Sequence, residues 1–221
     1  MESWSDSILQ NFKIRIYLDT NLLSHIIDKI RAPLLETIEI FNQCGSVELA
    51  SSRVVMYEFI GIRKREHYLR KVIDEFRNSD TGVVNVSSLF KYKDNYNHES
   101  VNYDEVKNEI KKDVEDEIQQ INNQFDIDFS YSVFHKELYE PSKDVCLLSK
   151  ISKEDSLVLI SALSPNLETN EDYVYLLSED SDFVNAFNNG KLEEVLESHS
   201  LNTPKLDRIE NISLERHVNQ T

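Results

Sequence analysis

Short apolar runs that stop at polar, acid-bearing turns and then give way to helical spacing recur along this chain. They constrain its fold more than any other feature. Ile14, Ile16, Tyr17 and Leu18 form a β-prone run that ends at Asp19-Thr20-Asn21. Leu22, Leu23, Ile26, Ile27 and Ile30 then fall on one helical face. Pro33 opens a second helix through Leu34, Leu35, Ile38 and Phe41, since the first helical position needs no N–H. Val47 to Ala50 predicts another strand, and Ser51-Ser52 a cap for a helix carrying Val54, Val55, Glu58, Phe59 and Ile62. Lys153-Glu154-Asp155 begins a helix through Leu157, Val158, Ile160, Ala162 and Leu163. Tyr173 to Leu177 reads as a strand, followed by the polar stretch from Ser178 to Asp182 and a short helix. A last strand is expected just before Asn202-Thr203-Pro204.

This alternation predicts an α/β fold with a central, mainly parallel sheet. With only four glycines and four prolines, the chain is poorly supplied for the tight turns of a many-hairpin β protein. Nor can its glycines assemble a GxGxxG or GxxxxGK[ST] phosphate cradle. The middle differs from the two ends. Val106, Ile110, Val114, Ile118, Ile121 and Phe125 recur at helical steps, and the opposite face is mostly acidic. Val83 to Val86 reads as a short strand and Lys91 to Ser100 as a polar loop. The expectation is a single domain over 1–221 with a helical insertion at about 64–140.

Charge limits the partners. Lys+Arg number 24 against 40 Asp+Glu, a formal net charge of −16. The average surface therefore repels a polyanion, and a nucleic-acid substrate needs a local basic patch or bound cations. Cys44 and Cys146 are too few for a disulfide framework, and no CxxC is present. His25, His67, His98, His135, His199 and His217 are scattered and show no zinc spacing. Met1 to Gln10 lacks the basic-then-apolar order of a signal peptide, and no apolar run is long enough to span a bilayer. A soluble, cytoplasmic protein without a membrane partner is expected.

Four acids occupy positions suited to chemistry. Asp19 and Asp180 each follow an apolar strand, at the end where open α/β sheets bind ligands. Asp155 lies in the first turn of a helix and Glu58 lies within another. Taken singly, Asp19 and Asp155 are also ordinary helix-start acids, and Glu58 an ordinary solvated one. In combination they resemble the PIN-like nuclease family. Ile16-Tyr17-Leu18-Asp19-Thr20-Asn21-Leu22-Leu23 is similar to its opening motif, and the segment from Ser51 to Ile60 to its second acidic segment. Glu154 to Ala162 resembles the third, in which an acid starts an apolar helix. Leu176 to Phe183 resembles the fourth, and Asn202-Thr203-Pro204 the closing strand and turn. Ser178 stands where Thr is commoner, and Ser156 where Ala is usual. The resemblance covers both ends of the chain and leaves the middle unmatched.

The resemblance implies a three-layer α/β/α domain with Asp19, Glu58, Asp155 and Asp180 as catalytic acids. Asp19, Asp155 and Asp180 would ligate metal, with Asn21, Ser178 and Asp182 in support. Gathered carboxylates repel by roughly 1 kcal/mol in water and roughly 4 kcal/mol at a dielectric near 20. A cation relieves that repulsion, and oxygen-only donors suit Mg²⁺ or Mn²⁺. The implied reaction is phosphodiester hydrolysis by water, with RNA favoured over DNA as substrate. The resemblance implies either a toxin held by an antitoxin or other protein inhibitor or an RNA-processing enzyme, and allows a homo-oligomer.

Arg63, Arg70 and Arg77 lie seven apart and stay near one helical face. They are the candidates for gripping a nucleic acid. The competing reading is a helix that pairs with the acidic one. A phosphatase of the Asp-x-Asp-x-Thr type is disfavoured because Asn21 replaces the second acid. The rival to an enzyme is a catalytically silent binding module whose acidic insertion docks a protein partner.

Overall fold

The computed structural model describes residues 14–29, 32–78, 96–131, 136–163, 173–178, 180–188, 190–201 and 205–207. Its first elements are strand β1 (Ile14–Leu18), helices α1 (Thr20–Asp28) and α2 (Ala32–Gln43), strand β2 (Val47–Ser52) and helix α3 (Arg53–Asn78). A short hairpin, β3 (Asn97–His98) and β4 (Val101–Asn102), leads into helix α4 (Tyr103–Gln124). Strand β5 (Ile127–Tyr131) and helices α5 (Lys136–Leu148) and α6 (Lys153–Leu163) follow. The chain continues through strand β6 (Tyr173–Leu177), helices α7 (Ser181–Asn188) and α8 (Lys191–Ser198), and strand β7 (Lys205–Asp207). The chain divides into two compact units, Met1–Met56 with Gln124–Thr221, and Tyr57–Asn123.

The first unit is built on a five-stranded sheet of order β5-β2-β1-β6-β7, in which every pairing is parallel. All five residues of β1 are buried, as a central parallel strand covered on both faces requires. Arg15 is among them, and its charge is met by Glu48, its register partner on β2, at 2.8 Å. The chain steps one way across the sheet from β1 to β2, and the other way from β6 to β7. Right-handed crossovers put α1 and α2 on the opposite face from α7 and α8, which makes the fold a three-layer α/β/α arrangement. Helix α6 is buried around nearly its whole circumference and packs against β2 and β6, with α5 outside it.

Two expectations change. The second unit is Tyr57–Asn123, not about 64–140, because Ile127–Tyr131 is the edge strand of the main sheet and α5, which contains Pro141, belongs with that sheet. The last strand follows residues 202–204; it does not come before them. What precedes is the end of α8, closed by amides of Ser200 and Leu201 bonded to the carbonyls of Glu197 and Leu196. Ser200 takes the left-handed φ of 58° that glycine usually supplies there. The strand read at Val83–Val86 and the turn at Asn202-Thr203-Pro204 lie outside the described residues.

The second unit contains most of α3, the β3–β4 hairpin and α4. Tyr68 holds the hairpin: its hydroxyl donates to the Val101 carbonyl (3.0 Å) and accepts from the His98 amide (2.9 Å). Val72, Ile110 and Val114 pack around it. Alongside this core runs a ladder of charges. Arg63 bonds both carboxylate oxygens of Glu117 (2.8 and 2.6 Å) and also Glu66 (2.7 Å). His67 meets Glu117 and Asp113, and Lys71 meets Glu109. Partners that rise by four on α3 and fall by four on α4 define an antiparallel helix pair. Arg63 is only 1% exposed, so its guanidinium is an internal tie and cannot grip a phosphate. Arg70 is exposed, and Arg77 is exposed beside Asp74. The three arginines therefore do not form one solvent-facing stripe, and the reading of a helix paired with the acidic one holds.

Breaking a buried ion pair leaves the other charge uncompensated, at a cost of about 3–5 kcal/mol. Arg63→Ala is expected to lower the unfolding free energy measured in urea by that order, and the midpoint with it, whereas Arg70→Ala at the surface stays within about 0.5 kcal/mol of the parent. Equal midpoints for the two variants would contradict the ladder. Burial alone raises the Glu117 pKa, but Arg63 and His67 outweigh it and hold the carboxyl below its ordinary value. The unfolded chain thus binds this proton more readily than the folded one. The stabilisation is present above the ordinary carboxylate pKa and is lost as pH falls through the lowered value. Acid unfolding of Glu117→Gln should lack that part of the slope.

Candidate functional site

The order of the main sheet reverses between β1 and β6, where successive connections leave in opposite directions. In open α/β sheets the crevice beyond the carboxyl ends of such strands binds ligands. Leu18 pairs with Leu177 at the last position of the ladder. The residues just beyond, Asp19 and Ser178, therefore emerge side by side.

Asp19 is 4% exposed and is the N-cap of α1. Its amide donates to the Leu177 carbonyl (3.1 Å), and its own carbonyl accepts the first helical amides. Both carboxylate oxygens are engaged: Oδ1 accepts from the Thr20 amide (2.7 Å) and Oδ2 from the Ser178 hydroxyl (2.6 Å). Ser178 in turn accepts from the Asp180 amide (3.0 Å). Asp180 Oδ1 accepts from the Asp182 amide (2.7 Å) and so caps α7. One buried hydroxyl therefore links the carboxylate after β1 to the backbone that presents the carboxylate after β6.

Asp155 enters from the first turn of α6. Ser152 caps that helix, accepting from the Asp155 amide (3.0 Å) and donating to Asp155 Oδ2 (2.8 Å). Burial chiefly raises the Asp155 pKa; the Ser152 hydroxyl pulls it down, and the charges of Asp180 and Asp182 push it up again. Asp155 thus lies within the field of Asp180 and Asp182. Asp180 is half-buried and Asp182 exposed. Asn21 is half-buried in the first turn of α1. Glu58 is exposed on α3 and falls in the second unit, so among the described residues the candidate acids here are Asp19, Asp155, Asp180 and Asp182.

Beneath these acids lies a polar contact absent from the sequence reading. Tyr17, fully buried on β1, meets the Ser161 hydroxyl of α6. Ser161 Oγ is also 3.0 Å from Ser52 Oγ. Burial, reinforced by the Asp19 charge, drives the Tyr17 pKa far up, so the phenol stays protonated. Ser156 is satisfied by donating to the Lys153 carbonyl (2.8 Å). The Ser152-x-x-Asp155 spacing was a legible capping signal, whereas the Tyr17–Ser161 contact spans 144 residues of sequence and carries no local signature.

The donors are all oxygens, which fits a hard divalent cation rather than zinc. Among the described residues no three His, Cys, Asp or Glu side chains converge closely enough to make a ready metal cage. A cation here would complete its shell with water or with oxygens of a bound molecule, as Mg²⁺ commonly does. No helix among the described residues is long and apolar enough to cross a membrane.

No protein-family model matches the chain, and no curated protein matches it either. One solved structure, a crystal structure of VapBC2 from Rickettsia felis bound to a DNA fragment from their promoter, is similar over 88% of this chain and 98% of that one. The identity is 12% and the TM-score 0.46. At that level the likeness decides nothing, and the site rests on this chain's own residues.

The Ser178 tie makes a direct prediction. Ser178→Ala removes the buried hydroxyl that donates to Asp19 Oδ2 and accepts from the Asp180 amide, so stability should fall by about 1–3 kcal/mol. Ser178→Thr retains the hydroxyl and should recover most of the loss. Chemical denaturation of the three proteins measures it, and an Ala variant as stable as the parent would contradict the linkage.

Proposed function

We propose that this chain is a PIN-like, metal-dependent nuclease, acting as an endoribonuclease on phosphodiester bonds. The observation that carries the reading is the Asp19–Ser178–Asp180 link at the reversal point of the sheet, with Asp155 close enough for Asp180 to act on its charge. The motif resemblance of the same residues supports it.

Asp19, Asp155 and Asp180 would hold Mg²⁺ or Mn²⁺, which when bound lowers the pKa of a water nucleophile and offsets charge on the phosphate and leaving oxygen. The chain's own residues do the positioning. Thr20 and Ser178 fix the Asp19 carboxylate, so it does not have to reorganise to meet a cation. Ser178 also sets the backbone from which Asp180 projects. Asp182 acts on Asp155 through its charge, and Asn21 enters the proposal as a supporting residue of the opening motif. Glu58 enters the proposal as the fourth acid of the motif set. RNA is favoured over DNA by the resemblance alone, as are a toxin role and an antitoxin or other protein inhibitor.

The alternative of a silent module docking a partner through an acidic insertion loses part of its basis. Glu109, Asp113 and Glu117 of α4 are engaged by Lys71, His67 and Arg63 of α3.

The test is a cleavage screen on single-stranded RNA, structured RNA and DNA with Mg²⁺ or Mn²⁺. RNA cleavage should require the cation and fall by at least about a hundredfold in Asp19→Asn, the effect of removing a metal ligand. Ser178→Ala should lose about ten- to a hundredfold, as outer-shell changes do. Cleavage that persists in highly purified Asp19→Asn at the parent rate would overturn the proposal.

A further inference from the structure

The second unit carries a cavity of about 500 Å³ along the α3–α4 pair, a volume typical of small-molecule sites. Its floor is aliphatic: Ile60 from α3, and Ile110, Val114 and Ile118 from α4. Its rim is basic. Lys64, Lys107 and Lys111 line it against one acid, Glu115, a local excess of two positive charges in a chain whose formal net charge is −16.

The lysines differ in how they are held. Lys64 Nζ lies over the rings of Tyr96 (4.5 Å) and Tyr103 (4.9 Å), and Tyr103 itself lines the cavity. Two aromatic faces thus hold this ammonium in place without neutralising it. Among the described residues, Lys107 and Lys111 pair only with neighbours on their own helix, Asp104 at 2.7 Å and Glu115 at 3.5 Å. Exposed pairs of this kind contribute little and yield readily to a better anion. The acids of α4 that face α3 are already engaged by Arg63, His67 and Lys71, so the ladder side of the helix pair is balanced and the cavity side is not.

We infer that the second unit binds a small apolar anion: an aliphatic or aromatic body seated on the isoleucine and valine floor, with a carboxylate, sulfonate or phosphate held by Lys64 and Lys111. This site is separate in residues and chemistry from the acids of the first unit and does not depend on nuclease activity.

The experiment titrates the full chain with the fluorescent anion anilinonaphthalene sulfonate and its uncharged counterpart phenylnaphthylamine, then competes the probe with decanoate or decylammonium. The expected result is saturable binding of one sulfonate probe per chain, displaced by decanoate and not by decylammonium. The uncharged probe should bind more weakly. Lys64→Gln and Lys111→Gln should each weaken the sulfonate by roughly tenfold, the worth of one charge-assisted contact, with the melting temperature kept. Arg70→Gln, outside the cavity, should leave binding unchanged. The proposal is overturned if no saturable binding occurs, if both competitors displace the probe equally, or if the Lys64→Gln/Lys111→Gln double variant binds like the parent. A dimer in sedimentation that Ile118→Glu dissociates, with no probe binding to the parent, would assign the cavity to a second copy and also overturn it.

Discussion

The parallel pairing of β1 with β6 sets Leu18 opposite Leu177, and what lies beyond those strands follows from that register. A slip of one residue would turn every side chain of β1 to the other face of the sheet. It would also separate Asp19 from the Ser178 hydroxyl. The register is held by a strand buried along its whole length and by Arg15, whose charge requires Glu48 at its own level on β2. Fold and candidate site are therefore fixed by the same constraint.

Helix starts do the rest of the positioning. Asp19 caps α1, Asp180 caps α7, and Asp155 is bonded to the Ser152 cap of α6. Acids at helix N-termini are stabilised by the amides there, so each carboxylate is in place for a structural reason before any ligand arrives. What exceeds capping is the shared hydroxyl of Ser178 and the mutual repulsion felt at Asp155. Caps serving separate helices have no need to be tied to one another.

Much of this was legible in the sequence because it is local. The run Ile16-Tyr17-Leu18-Asp19-Thr20-Asn21 signals a strand, a cap and a helix within six residues, and the structure forms all three. Helix α4 was legible from its apolar steps, and Ile110, Val114 and Ile121 are indeed buried. Strand β5 carried a signal that the expected insertion obscured: Ile127, Phe129 and Tyr131 alternate with polar residues. Arg63 could not be placed from spacing, because spacing groups residues on one helical face without saying whether that face is solvated. Its fate was decided by Glu117, 54 residues away. Glu58 remains legible only as part of a motif.

The proposed sharing of one divalent cation by Asp19, Asp155 and Asp180 is open to calorimetric titration of the full chain with Mn²⁺, repeated on Asp19→Asn, Asp155→Asn and Asp180→Asn. The expected result is one dominant site in the parent and a loss of at least about tenfold in affinity in each variant, while Glu154→Gln, exposed on α6, binds as the parent does. Parent-like Mn²⁺ affinity in both Asp19→Asn and Asp180→Asn would contradict it.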